Sequence, residues 1–260
     1  MLPLFAFVLA TAAYVLGALT ASGAAAAAIV GSVALTAGWR WAVVLLLFFV
    51  LGTAASRIGA RRKAQLTEGV VEKSGARDAL QVVANGGVFT ACAFIWLYQP
   101  ESDMWWWAAC GALAAATADS MATEIGGLSS RMPRSLLTGR ALPAGTSGGV
   151  TWLGTLGGAA GALVLAAVAS LLFSGGSEGV AVLFIAGITG SLADSALGAG
   201  AQARRWCDTC QTATERMVHT CGTSTVHAGG IRWLDNDIVN LAATVAGALA
   251  GIAGASLLPA

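Results

Sequence analysis

The sequence predicts an all-α polytopic transmembrane helical bundle of about eight spans (six to eight), built around a duplicated helix-loop-helix unit with three cytoplasmic loops. Three observations carry this. Of 260 residues, 57% are hydrophobic and only 10% charged, with 34 glycines, which is more apolar surface than an ordinary water-surrounded core can hide. Eight apolar runs recur along the chain, most of them long enough for a hydrocarbon core of about 30 Å. Two of these runs end in the same way, at Ala118-Asp119-Ser120 and Ala193-Asp194-Ser195. Each is followed by a polar loop that closes on Gly-Gly-x-x-Trp-Leu, first at Gly148-Gly149-Val150-Thr151-Trp152-Leu153 and then at Gly229-Gly230-Ile231-Arg232-Trp233-Leu234.

The runs lie near residues 3–20, 24–38, 41–55, 80–98, 104–118, 150–173, 179–197 and 236–257. The opening Met1-Leu2-Pro3-Leu4 has no positive segment ahead of its apolar stretch, so the first run reads as a retained helix rather than a cleaved signal. The second and third are short. Ala24 to Ala28 with Gly31 suits a helix packed closely on its neighbours, and six full spans plus a re-entrant pair is the alternative count. Residues 1–260 read as a single transmembrane domain, with 200–232 as the largest cytoplasmic loop.

Charge sets the orientation. Arg57, Arg61, Arg62, Lys63, Lys73 and Arg77 fall between the third and fourth runs, and Arg131, Arg134 and Arg140 between the fifth and sixth. Arg204, Arg205, Arg216 and Arg232 fall between the seventh and eighth, so 13 of the 14 basic residues share one side and only Arg40 does not. The short opposite connections around Glu101 and Glu178 carry no cation. The positive-inside rule therefore puts the three long loops in the cytoplasm of a cell inner membrane, and eight spans put both termini outside. A net charge of +1 with cations dispersed over separate loops argues against nucleic acid as a partner. A homo-oligomer is left open.

The carboxylates at the cytoplasmic ends of the spans are the candidate chemistry. Asp119 and Glu124 are five residues apart, about 140° around a helix, so they have different partners unless the helix breaks. Ionisable groups at such a depth cost energy and by default mark a site; the structural alternative is pairing with a loop cation such as Arg77 or Arg140. With Asp194 from the second unit, and with Asp235 and Asp237 opening the last run, they form an oxygen-ligand set suited to Mg²⁺ bridging nucleotide phosphates. Asn236 and Asn240 add amide oxygens, and one of the three residues 235–237 is expected to cap the helix.

Three further motifs accompany them. Gly145-Thr146-Ser147-Gly148-Gly149, running into the sixth run, could cradle phosphate with backbone N–H groups, although it lacks the Gly-Lys-Ser/Thr ending of a Walker loop. Arg77, Gln81 and Asn85 recur every four residues as one polar stripe, able to clamp a phosphate or to bond between helices. Cys207, Cys210, His219 and Cys221 supply the C-x₂-C opening and the Cys₃His count of a structural Zn²⁺ site, while Cys92 and Cys110 read as inert core residues.

Four ordered stretches, Gln81-Val82-Val83-Ala84-Asn85-Gly86-Gly87, residues 117–126 around Asp119 and Glu124, residues 145–151, and Trp233-Leu234-Asp235-Asn236-Asp237-Ile238-Val239-Asn240, resemble the integral-membrane family that includes plant phytyl-phosphate kinase. The resemblance runs from about residue 45 onward. It implies an enzyme that moves a phosphoryl group from a nucleoside triphosphate, CTP in the plant enzyme, to an isoprenoid monophosphate at the membrane face. Asp119, Glu124, Asp194 and Arg77 are then the catalytic candidates, with the residues 145–149 around the donor phosphates and Arg77, Gln81 and Asn85 around the acceptor. A prenyl-alcohol kinase or a CTP-dependent nucleotidyl transferase would keep the site and change the reaction. A cation-coupled transporter is the alternative from another class, disfavoured because the polar groups gather at one face and the repeats read as parallel.

Overall fold

The computed structural model describes residues 2–67, 69–72 and 75–258; Lys73, one of the loop cations, lies outside them. Among the described residues there are nine helices: α1 (Leu2–Val15), α2 (Ala21–Ala37), α3 (Trp39–Arg57), α4 (Ala60–Thr67), α5 (Ala79–Trp96), α6 (Met104–Gly126), α7 (Trp152–Phe173), α8 (Gly176–Gly200) and α9 (Asn236–Ala255). Five short strands sit in the loops: β1 (Arg134–Ser135), β2 (Gly149–Val150), β3 (Arg204–Cys207), β4 (Thr212–Thr214) and β5 (Val226–Gly229). β1 pairs antiparallel with β2, and β3 lies between β4 and β5.

Every apolar run is a helix, but the count of eight spans is not matched by length and composition. Five helices, α3, α5, α7, α8 and α9, are long and apolar enough to cross a membrane; α1 with 14 residues and α2 with 17 are shorter. The third run was expected to be short, yet α3 reaches 19 residues because Trp39-Arg40 and Ser56-Arg57 extend it at both ends. The helix α4, with sequence ARRKAQLT, was not anticipated; it lies at the loop-bearing end with Arg61 and Arg62 exposed and Lys63 turned inward.

The helix α6 is not among these five. It is 23 residues long, and three tryptophans and two carboxylates lower its mean hydropathy, but Trp106 through Ala118 form an unbroken buried stretch. A helix sheathed by protein has no need of a lipid-facing surface. It touches α3, α5, α7, α8 and α9, and its alanines admit glycines from those neighbours. At Gly158 on α7 a Cβ would stand 2.7 Å from the Ala118 carbonyl oxygen, and at Gly190 on α8 one would stand 2.2 Å from the Ala115 Cβ. Close backbone approach through small residues is the usual basis of helix association where lipid supplies no hydrophobic drive. Leu4, Phe5, Phe7 and Val8 of α1, by contrast, point outward.

The two ends of the bundle differ in chemistry. At one end Trp41 packs against Phe89, Trp96 and Phe173 with ring centroids 5.7, 5.4 and 5.5 Å away, and Trp106 stacks on Trp107 at 3.9 Å. The other end carries the long loops, and four of the helices that start there are capped by a side chain: α2 by Thr20, α5 by Asp78, α7 by Thr151 and α9 by Asp235. Caps satisfy amide groups that a helix start leaves open, so this end is built to be polar.

Candidate active site at the loop face

The helix α6 runs unbroken through Gly126, past the end expected at residue 118, so Asp119 and Glu124 diverge around it as five-residue spacing requires. Asp119 faces α8. Its carboxyl group stands within hydrogen-bonding reach of Asp194, which brings the two duplicated motifs together. Asp194 Oδ2 is shielded from solvent and has no hydrogen-bond partner among the described residues. A buried, unpartnered carboxylate oxygen beside a second carboxylate is an unstable arrangement unless a proton or a cation stands between them. The donor set therefore fits a hard divalent ion with oxygen ligands.

A third carboxylate reaches this pair from the last loop. Glu215, just beyond β4, lies near enough for its charge to act on Asp194. Its Oε1 accepts from the Ser147 backbone N–H at 2.9 Å and its Oε2 from Gln202 Nε2 at 3.2 Å, which ties the glycine-rich loop of the first unit to the end of α8. Burial pushes the Glu215 carboxyl above the usual carboxylate range, the bonds from Ser147 and Gln202 act against that, and the nearby Glu72 adds to it. The segment is clasped to residues 69–71: Thr214 Oγ1 donates to the Gly69 carbonyl at 2.6 Å, Glu215 N to Val70 at 2.9 Å and Arg216 Nη1 to Val71 at 3.0 Å. Both glycine-rich closures pass hard against this end of α8. Gly148 and Gly230 share φ +74°, and a Cβ there would fall 2.2 Å from Ala199 N and 2.0 Å from the Gln202 carbonyl oxygen.

Glu124 belongs to a different cluster. It forms an ion pair with Lys63 of α4, whose Nζ also donates to the Ala55 and Ser56 carbonyls at 3.0 and 3.1 Å. The loop cation that answers it is thus Lys63, with the charge of Arg77 close by. Arg77 is not part of a helical stripe, since it precedes the Asp78 cap of α5. Its backbone bridges to Ala18 and Thr20 at the start of α2, and its guanidinium turns to α3, donating to Thr53 Oγ1 at 3.4 Å over the ring of Phe49. Burial lowers its pKa and Glu124 acts against that.

The remaining candidates are largely occupied by the fold. Gln81 closes the capping box with Asp78, and Asn85 Nδ2 donates back to the Gln81 carbonyl at 3.0 Å. In the glycine-rich loop, Thr146 N donates to Pro143, Gly149 N to Thr146 and Ser147 N to Glu215, so these amides point inward rather than at a ligand. Asp235 caps α9 through Ile238 N at 3.0 Å and is exposed, as is Asn236, while Asp237 and Asn240 are partly buried.

Lys63 and Glu215 were not singled out by sequence reasoning. Lys63 sits in an ordinary basic run. Glu215 left one trace, the recurrence of Ala122-Thr123-Glu124 as Ala213-Thr214-Glu215. Cys207, Cys210, His219 and Cys221 do come together, with their ligand atoms all within 4.8 Å of one another. Bonds with Thr223 and His219 pull the Cys221 thiol down to about 6, and the neighbouring Cys221 pushes Cys210 up to about 11.

With the site in view, comparison with known proteins places the chain. Residues 4–248 match the family described as integral membrane protein DUF92. The chain belongs to this family. It is 32% identical over 218 residues to an uncharacterized membrane protein of Methanocaldococcus jannaschii, covering 83% of this chain and 76% of that one. Two Arabidopsis thaliana proteins are also similar. The chloroplastic protein VTE6 is 28% identical over 244 residues, 92% of this chain but only 65% of VTE6, and the protein PGR is 29% identical over 243 residues, 84% and 83%. No solved structure matches.

Proposed function

We propose that this protein is a Mg²⁺-dependent phosphoryltransferase of the membrane, moving a phosphoryl group from a nucleoside triphosphate to an isoprenoid monophosphate. The observation that carries the reading is the meeting of Asp119 and Asp194, with Asp194 Oδ2 buried and unpartnered. The choice of reaction and of CTP as donor follows the resemblance of four sequence motifs to the family that includes plant phytyl-phosphate kinase, and the similarity to VTE6 supports the reaction alone. The cations of the three long loops support a cytoplasmic setting for the loop face, where a soluble nucleotide and the head of a membrane lipid can both arrive.

Asp119 and Asp194 would hold the ion, with Glu215 as a third oxygen donor. Bound there, Mg²⁺ supplies charge neutralisation for the phosphates as they exchange. The acceptor needs no general base, since a phosphate monoester is largely ionised at neutral pH. Because the amides of Thr146, Ser147 and Gly149 serve the fold, the donor phosphates are assigned to the carboxylate site and not to an amide cradle. Four helix starts bring partial positive charge to the same face. Lys63 and Glu124 neutralise each other and hold α4 against α6, so Glu124 is a positioning residue.

The test is the nucleotide product formed by purified protein with Mg²⁺, CTP and a prenyl monophosphate. CDP is expected; diphosphate release would establish a nucleotidyl transferase instead. Asp119→Asn and Asp194→Asn should each lower turnover by about 10²-fold or more, and unchanged turnover in either would overturn the assignment.

A further inference from the structure

Residues 203–230 carry Glu215 to the carboxylate pair, yet they have little of their own to hold them. Their three strands span four, three and four residues, too small a sheet to be stable alone. Few large apolar side chains are buried there; instead a polar frame runs through it, with Arg205 donating to Thr225 Oγ1 and its carbonyl at 2.6 and 2.7 Å. At the far end of that frame four ligand-type side chains from three separate segments converge: Cys207 closing β3, Cys210 in the β3–β4 turn, and His219 with Cys221 between β4 and β5. None of the cysteines is in a disulfide.

The four ligand atoms lie within 4.8 Å of one another, and two of the pairs have the spacing of neighbouring ligands on a tetrahedral zinc. Zinc bonds of about 2.3 Å to sulfur and 2.0–2.1 Å to nitrogen place neighbouring ligands about 3.8 Å apart for two sulfurs and about 3.5 Å for sulfur and nitrogen. Cys207 Sγ and Cys221 Sγ are 3.6 Å apart, and His219 Nδ1 and Cys221 Sγ 3.4 Å. Cys210 and Cys221 are exposed residues that nonetheless turn their sulfurs to one point. Three thiolates and an imidazole favour a borderline-soft ion over Mg²⁺ or Ca²⁺, and a set with all four positions held by protein is the structural kind of zinc site.

We propose that Cys207, Cys210, His219 and Cys221 bind one Zn²⁺, and that this ion folds the loop so that Glu215 is held against Asp194. The path is short: His219 lies four residues beyond Glu215 in the chain, and residues 214–216 are clasped to 69–71. Zinc here takes no part in phosphoryl transfer. The coupling to Glu215 rests on the reading of Asp119 and Asp194 as a magnesium site, whereas the zinc site itself does not.

The experiment uses the untagged full chain in detergent. Elemental analysis should find about one zinc per chain, and alkylation followed by mass spectrometry should find Cys207 protected until a zinc chelator is added. Cys210→Ser with Cys221→Ser should lose the zinc at unchanged helical circular dichroism, and His219→Cys, which keeps four ligands, should retain it. Helical protein that stays zinc-free after Zn²⁺ is supplied, or that carries a Cys207–Cys221 disulfide, overturns the site. Titration with Mn²⁺ as the Mg²⁺ probe reads the coupling: chelating zinc should weaken Mn²⁺ affinity at least tenfold in the wild type and far less in Glu215→Gln. Equal Mn²⁺ affinity with and without zinc overturns the coupling. If the zinc-loaded wild type binds no Mn²⁺, the magnesium reading and the coupling fail together while the zinc site stands.

Discussion

Replacing Lys63 by methionine isolates the ion pair that joins α4 to α6. The side chains of Lys63 and Glu124 are only 11% and 28% exposed, and Lys63 Nζ has three acceptors: Glu124 and the carbonyls of Ala55 and Ser56 at the end of α3. Breaking a buried pair on one side costs about 3–5 kcal/mol because the remaining charge is left uncompensated. The partial exposure of Glu124 lets water relieve part of this, and Arg77 stands nearby, which brings the expected loss to about 2–3 kcal/mol. At about 2–4 °C per kcal/mol for a chain of this size, Lys63→Met should lower the melting temperature in detergent by roughly 4–12 °C. Pairing it with Glu124→Leu removes the orphaned charge and should recover most of that shift, since an apolar pair of similar volume replaces a buried ion pair at little net cost. Turnover should recover with it. A melting temperature that does not move in Lys63→Met would refute the buried-pair reasoning, and a double variant that is stable but inactive would return Glu124 to the catalytic set.

Two further outcomes are expected. Gly158→Val places a side chain where a Cβ alone would lie 2.7 Å from the Ala118 carbonyl oxygen; overpacking of about 1–3 kcal/mol should lower the melting temperature, and displacement of α6 next to Asp119 should lower turnover, whereas no change in either would count against close packing of α6 and α7. Burial raises the Glu215 carboxyl above its ordinary value, so its contribution to metal-free stability is full below the ordinary glutamate range and is lost as pH climbs through the raised value. Melting curves of metal-free protein should fall across that window, Glu215→Gln should flatten the fall, and added Mg²⁺ should oppose it; a pH profile identical in wild type and Glu215→Gln would overturn the assignment.

Much of the scaffold was legible because its causes are local. Apolar runs mark helices wherever they face lipid or one another, and the repeated Asp-Ser and Gly-Gly-x-x-Trp-Leu signatures marked the pairing of Asp119 with Asp194 at one end. The five-residue interval left open whether Glu124 and Asp119 part, and the single Mg²⁺ set expected for both does not hold, since Glu124 pairs with Lys63. What lay beyond reach was long-range: Glu124 finds a partner 61 positions away in a helix of eight residues, and Glu215 reaches Ser147 across 68. Neither pairing leaves a period in the sequence. The Arg77 stripe misled because a four-residue interval implies one helix face only if the helix includes all its members, and α5 begins at Ala79 behind its Asp78 cap, leaving Arg77 outside it. The amides of Thr146, Ser147 and Gly149 misled for a related reason, since glycine-rich loops bind anions only where their N–H groups are not already bonded.

The lipid product is the most direct measure of phosphoryl transfer by this protein. Purified wild type and Asp194→Asn are incubated with Mg²⁺, CTP and phytyl, geranylgeranyl or farnesyl monophosphate, and the lipid is read by mass spectrometry. A mass gain of one phosphate on at least one acceptor, abolished or nearly so in a folded Asp194→Asn, is the predicted result. Folded wild-type protein that binds Mg²⁺-nucleotide yet converts none of them, or an Asp194→Asn variant that converts them as well as wild type, would contradict it.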